Sequence, residues 1–290
     1  MKNSIFPFGL LMVVAFGISS TAGSYANQMP QKANTSTKDT LQLIWETVKE
    51  FKKPECVFYN SKVNELYVSN INDTVRGDGF ISKISPDGKI IDLKWITGLD
   101  NPCGMCIYKQ KLYVADNKNV VEIDIKKGKI VRKFRAEDAK ALNDIAIDSK
   151  GTLYISDFKG SSIYRMKGGK LEQWISGPQL KDVNGMLFDG NKLLAGTSTN
   201  IYSIDISSAK LEVFIERKGF VDGLSSLGDG RYIVSDWRGN ITMVEQKKPD
   251  ILIYSSVDKR INQADFYYLK SKKIIFSPNF SDNRVRAYSF

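Results

Sequence analysis

From residue 41 onward the chain is written in short runs of alternating apolar and polar residues, cut every few positions by small turn formers. The stretch 141–175, ALNDIAIDSKGTLYISDFKGSSIYRMKGGKLEQWI, shows the unit most clearly. IAID and TLYIS flank the turn Ser149-Lys150-Gly151, the polar residues 157–161 form a loop, and IYRM and LEQWI flank Gly168-Gly169. Period-two alternation bounded by glycine-bearing turns predicts four antiparallel strands in a meander. Such a sheet has open edges and one face it cannot bury alone, which predicts neighbours of the same kind.

The neighbours recur. Taking the residue after each LYIS-like run as a marker gives Asn70, Asp116, Asp157, Thr197, Asp236 and Pro278, spaced by 46, 41, 40, 39 and 42 residues. A period of about forty residues with four strands per repeat is the signature of propeller blades. The fold is therefore expected to be all-β, a six-bladed β-propeller with four-stranded antiparallel blades; a large sandwich would not repeat one internal grammar. The repeats are placed at 54–98, 101–138, 140–177, 182–216, 219–257 and 260–290. The last has room for only three strands, at 265–269, 273–277 and 285–290, while the alternating run LQLIWETV at 41–48 precedes the first marker. The N-terminal strand is therefore expected to complete the last blade, removing two open edges at once. Residues 41–290 then read as a single propeller domain.

The first 26 residues read differently. Lys2 supplies a positive start, 6–18 an apolar core, and Ser24, Tyr25 and Ala26 a cleavage site of small residues. That is the pattern of a signal peptide, too short for a comfortable membrane span, and it predicts a periplasmic or extracellular protein with no stable membrane span. The polar residues 27–40 are expected to be a disordered leader. The formal charge of +10 falls to +9 once Lys2 is subtracted. Its basic residues gather at turns (126–129, 247–248, 270–273) without a stripe of interleaved aromatics, so nucleic acid is not expected as a partner. The basic surface leaves room for weak association with anionic envelope components.

Chemistry is expected where the inner strands converge. Counting thirteen to fifteen residues back from each marker gives Glu55, Cys103, Asn143, Asn184, Asp222 and Ala264, of which four are oxygen donors. The next position along holds Cys56, Gly104, Asp144, Gly185, Gly223 and Asp265, with three glycines that permit close backbone approach. Asn and Asp open strands in many proteins because they bond turns. Two carboxylates and two amides at one register, however, would repel or lie unsatisfied without a cation, which suggests a hard divalent metal. The carboxylates at the markers, Asp116, Asp157 and Asp236, read as turn-bonding groups.

The segments PECVFYN, LNDIAIDSKGTLYISD, VNGMLFDGNKLLAGT and VDGLSSLGDGRYIVSDW resemble the SMP-30/gluconolactonase/regucalcin-like family of six-bladed propellers, and the likeness extends over essentially the whole chain after the leader. The resemblance implies a metal-dependent hydrolase acting on a small lactone or ester, with Glu55, Asn184 and Asp222 as metal ligands. It also implies Asp222 as the catalytic base and Asn143 as a substrate-binding residue. Cys103 and Asp144 are neighbours at the channel mouth. The cofactor implied is a divalent cation, calcium foremost, with magnesium, manganese or zinc as alternatives, and the partner a small-molecule substrate. One departure stands out: the family's lactonases carry an arginine where this chain has Ala141.

The chain contains no histidine, which removes Ser-His-Asp and Cys-His nucleophile systems and histidine-held metals. Three cysteines remain. Cys103 and Cys106 match C-x-x-C but open an inner strand rather than a helix, so a thioredoxin-like role is not expected. Cys56 and Cys103 lie at neighbouring blade openings and could pair in an oxidising compartment, or Cys103 could neighbour the metal. Two further readings stand beside the hydrolase: a non-catalytic binding or assembly propeller with the same blade grammar, and a structural protein whose metal only closes the channel.

Overall fold

The structure is a computed structural model and describes residues 40–290; the expected signal peptide at 1–26, and the leader up to residue 39, lie outside the described residues. The described chain forms 24 strands in six antiparallel sheets of four, interrupted by three single-turn 3-10 segments. It is a six-bladed β-propeller. Five blades follow chain order, with inner strands Pro54–Asn60, Pro102–Tyr108, Leu142–Ile147, Met186–Asp189 and Leu224–Gly228. The sixth runs inward from Gln42–Glu46 through Arg284–Ser289 and Ile274–Asn279 to Tyr267–Leu269, so the N-terminal strand does complete the last blade.

The hydrophobic core is not one mass but six seams, each between adjacent blades. Tyr67, Ile81 and Leu99 of the first blade pack on Met105, Leu112 and Val114 of the second. Tyr154 and Ile163 of the third pack on Met186, Leu193 and Ala195 of the fourth. At the closing seam Val57, Leu66, Val68 and Ile84 of the first blade meet Phe276, Val285 and Ala287 of the sixth. Each such side chain contributes about 1.5–3 kcal/mol by leaving water, so the seams dominate the stability.

The closing strand is tied down by more than its ladder. Trp45 donates its indole N–H to Pro86 O at 3.0 Å and lies over the turn at Gly88 in the first blade. Gly88 has φ +86°, and a Cβ there would stand 2.7 Å from the Trp45 ring, so both the turn and the tryptophan require glycine. Arg286, 8% exposed, pairs with Glu46 of the N-terminal strand and donates to Asn279 Oδ1 at 2.7 Å. Leu41 lies outside the ladder, buried, with its N–H on Ile253 O of the fifth blade at 3.1 Å, whereas Val48 is exposed.

The last inner strand is shorter than the expected 265–269. Asp265 leaves its own blade's ladder and joins the first: its N–H donates to Glu55 O at 3.0 Å, and its carbonyl accepts from Val57 N at 3.1 Å. Among the described residues no helix is long and apolar enough to cross a membrane.

A chain beginning at residue 49 therefore exposes a sheet edge and strips the cover from the closing seam. It is expected to melt on the order of 10 °C below a chain beginning at residue 40, or to lose cooperative unfolding. Equal melting temperatures by differential scanning calorimetry would disprove the closure.

Candidate functional site at the channel mouth

The residues at the channel mouth stand outside the regular ladders. In the first three blades the register shifts at Pro54/Cys56, Pro102/Met105 and Leu142/Ile145, leaving Glu55, Cys103 with Gly104, and Asn143 with Asp144 unpaired in bulges. A bulge re-aims side chains that a regular strand would send into alternate faces. In the next two blades Asn184 and Asp222 precede the inner strand altogether. Their backbones are still fixed: Asn184 N donates to Gly196 O and Asp222 N to Ser235 O, both at 2.9 Å.

A row of serines one residue before the markers supports this layer. Ser69 Oγ accepts from Cys56 N and Ser156 Oγ from Asp144 N, both at 2.9 Å, and Ser235 Oγ accepts from Gly223 N at 2.8 Å. Sequence reasoning gave these serines no role, although their place in YVSN, YISD and IVSD marks them. The aspartates beside them bond turns: Asp116 accepts from Asp100 N at 2.8 Å, Asp157 from Ala141 N at 2.7 Å, and Asp236 from Arg238 N at 2.9 Å.

The glycines in the second layer let the blades meet. A Cβ on Gly104 would lie 2.5 Å from Asp144 Oδ1, and one on Gly185 would lie 2.3 Å from Asp222 O. Asp144 spans two blades, its carboxylate accepting from Ile145 N and Met186 N, each at 2.6 Å.

The acids interact across the axis. Burial lifts the Glu55 carboxyl well above the usual carboxylate range; the charges of Asp222, Asp265 and Asp144 add to this, and the Asn143 amide opposes it. Burial, then Asp144, pushes Asp222 up to about 7 against the pull of the Asn184 hydrogen bond, which meets Asp222 Oδ1 at 3.3 Å. Burial raises Asp144 to about 6, with the two backbone N–H groups holding it down. Asp265 is raised well above its usual value by burial and then by Asp144, and the Cys56 thiol partly relieves it. Among the described residues no lysine or arginine makes a salt bridge to any of the four or figures among the leading causes of their shifts.

Three oxygens in this group are buried without a hydrogen-bond donor: Glu55 Oε2, Asn143 Oδ1 and Asn184 Oδ1. All three are acceptors, and leaving each unmet costs about 1–3 kcal/mol. With the Asp222 carboxylate they form the donor set a hard cation takes. Among the described residues no three His, Cys, Asp or Glu side chains form a metal-holding group by themselves, so a cation here would depend on the asparagine oxygens. Glu55 and Asp222 are only 4% and 3% exposed.

Glu55, Asn143, Asn184 and Asp222 thus share one mouth, with Asp144 in the layer beneath. Asp265 joins that lower layer; it occupies the register one step past Ala264 but was given no role from sequence. Cys103 is buried, and burial followed by the Glu55 charge raises its thiol well above the usual value. The three cysteines are free thiols, so the disulfide considered between Cys56 and Cys103 is not formed.

No family model and no curated protein matches the chain. Solved structures do. A catalytically inactive histidine-to-alanine variant of virginiamycin B lyase from Staphylococcus aureus, with quinupristin, is 13% identical with a TM-score of 0.58 over 88% of this chain and 97% of that one. The WD40 β-propeller domain of Doa1 is 14% identical with a TM-score of 0.61, over 81% of this chain and 77% of that one. At such identities the likeness is one of fold, the β-propeller.

Proposed function

We propose that the chain is an exported, divalent-cation-dependent hydrolase of a small lactone or ester, of the SMP-30/gluconolactonase/regucalcin type. The observation that carries this reading is the set of buried, donorless oxygens on Glu55, Asn143 and Asn184 beside Asp222. These four residues would hold the cation, calcium foremost, which when bound supplies Lewis-acid polarisation of a carbonyl. Asp222 takes a proton from the attacking water as its oxygen bonds the carbonyl carbon, and returns it to the ring oxygen as the C–O bond breaks. Asn184 holds the Asp222 carboxylate in place through its amide N–H. Asn143 orients the substrate. Ala141 offers no cationic clamp and its N–H is committed to Asp157, which favours smaller or less polar lactones than sugar acids.

The lyase neighbour is inactive without a histidine, and this chain has none, so that chemistry is not carried over. The near-complete burial of Glu55 and Asp222 favours a second reading, in which the cation closes the channel of a non-catalytic, NHL-like binding propeller.

Binding of calcium is expected to raise the melting temperature on the order of 5 °C at about a hundredfold excess over Kd. Glu55→Gln should shrink that shift while raising the melting temperature of the metal-free protein, because it removes one of the repelling carboxylates. A shift as large in the variant as in the parent places the cation elsewhere.

The metal-free protein also has a signed pH dependence. Asp144 and Asp222 keep their protons in the folded state up to about 6 and about 7, while in the unfolded chain they release them near the ordinary value of about 3.9. The folded state thus binds more protons, and this contribution to stability is fully present below the unfolded pKa and is lost as pH rises through the folded values. With no histidine in the chain, few other groups titrate in that window. The melting temperature in chelator should fall from pH 5 to pH 8, and calcium should abolish the fall. A flat profile in chelator would rule out the repulsion.

Catalysis is tested by Asp222→Asn, expected to lose about a hundredfold or more of lactone turnover with metal still bound by elemental analysis. Metal-loaded parent protein that turns over nothing in a broad lactone panel decides for the binding propeller.

A further inference from the structure

The second layer borders a cavity of about 320 Å³ to which all six blades contribute and which neither Glu55 nor Asn184 lines. Its size lies at the lower end of the range of small-molecule pockets, roughly 300–1,000 Å³. The charged side chains that line it are both acids, Asp144 and Asp265; no lysine or arginine lines it. The wall is about equally polar and apolar, and Phe58, Phe188, Phe266 and Tyr267 are among the residues that line it.

The two acids differ in what already meets them. Both Asp144 oxygens accept backbone N–H groups, and these fix the carboxylate in position. Asp265 instead faces the cavity with the Cys56 thiol as its neighbouring donor. Its carboxylate oxygens hold no backbone N–H and remain open to a donor that enters the cavity. A bare hard metal fits this chamber poorly, because it takes six to eight oxygens and, with both Asp144 oxygens already holding backbone N–H groups, Asp265 is the one lining carboxylate with free capacity. An ammonium group fits both features. Its N–H groups pair with the carboxylates, its charge is favoured by aromatic faces, and an attached carbon stem is buried by the walls.

We propose that this cavity is a second binding site, distinct from the mouth, for a protonated primary amine on a short apolar stem. The ammonium lies between Asp265 and Asp144, and the stem runs along Phe58, Phe188, Phe266 and Tyr267. The site stands whether or not the mouth is hydrolytic.

The test is titration calorimetry of hexylammonium into the full chain in saturating calcium, so that the mouth is not the site of binding. Hexylammonium is expected to bind with Kd below about 1 mM, and 1-hexanol and hexanoate at least about tenfold more weakly. Asp265→Asn should weaken hexylammonium by about tenfold or more. Ser225→Phe, which adds bulk to the cavity wall from the fifth blade and leaves both acids in place, should abolish binding and keep the melting temperature near that of the parent; it carries the test if Asp265→Asn does not fold. Hexanol binding as tightly as hexylammonium, hexylammonium binding that survives both folded variants, or no binding to the parent at about 10 mM overturns the proposal.

Discussion

The rest of the structure depends on the fact that a four-stranded blade cannot bury its own apolar face. Each blade has to find the next, and the sixth has to find the first. Every seam but one is between blades contiguous in sequence. The last joins the first blade to a sixth blade that is itself completed by residues more than two hundred positions apart, Glu46 with Arg286 and Thr47 with Val285, while Trp45 of the N-terminal strand reaches across to Pro86 of the first blade. Polar contacts there select the register; the burial of Phe51, Phe276, Val285 and Leu66 supplies the free energy.

Closing the ring forces six inner strands onto one axis, and the sequence handles the crowding in two ways. Where two blades come nearest, glycine replaces a side chain, as at Gly104 against Asp144. Where room is left, acids and amides fill it, and these bring the opposite problem. Burial raises the proton affinity of Glu55, Asp144, Asp222 and Asp265, and neighbouring acids add to it at Glu55, Asp222 and Asp265, in a protein whose formal charge is +10. Among the described residues, clusters of basic side chains lie at turns, at 126–129, 247–248 and 270–273, and no lysine or arginine lines the cavity under the mouth. The protein as a whole is basic and its channel is acidic, an arrangement the seams can hold together only because their burial exceeds the repulsion.

The repeat was legible because strand alternation and turn chemistry are local, and each blade states them anew. The common register of Glu55, Asn143, Asn184 and Asp222 was legible for the same reason: equal distance from a marker means equal depth in the channel. Asp265 was placed by the same count, one step past Ala264 and level with Asp144. What the count does not show is that its backbone leaves its own blade to pair with Glu55 and Val57 of another. That choice is tertiary, and no local pattern encodes it. The serines at 69, 156 and 235 were visible in the motifs yet silent, since a hydroxyl in a strand announces nothing until the bulge opposite it needs an acceptor. The cavity belongs to no single blade and so has no sequence signature at all.

The two acidic layers differ in how they can be reached, and this separates their chemistry. At the mouth the unmet oxygens are those of Glu55, Asn143 and Asn184, enclosed so tightly that what satisfies them must be small and must shed its water. One step down, Asp144 is already bonded by two backbone N–H groups and Asp265 opens on a chamber lined in part by Phe58, Phe188, Phe266 and Tyr267. A desolvated ion suits the first environment and is poorly served by the second, where hydrocarbon surface has to be covered as well as charge. The single-residue step from Glu55 to Cys56 and from Asn143 to Asp144 thus divides the channel into a part shaped for an ion and a part shaped for an organic group. The bulges at Pro54/Cys56 and Leu142/Ile145 make that division, because without them successive side chains would point to opposite faces of the strand.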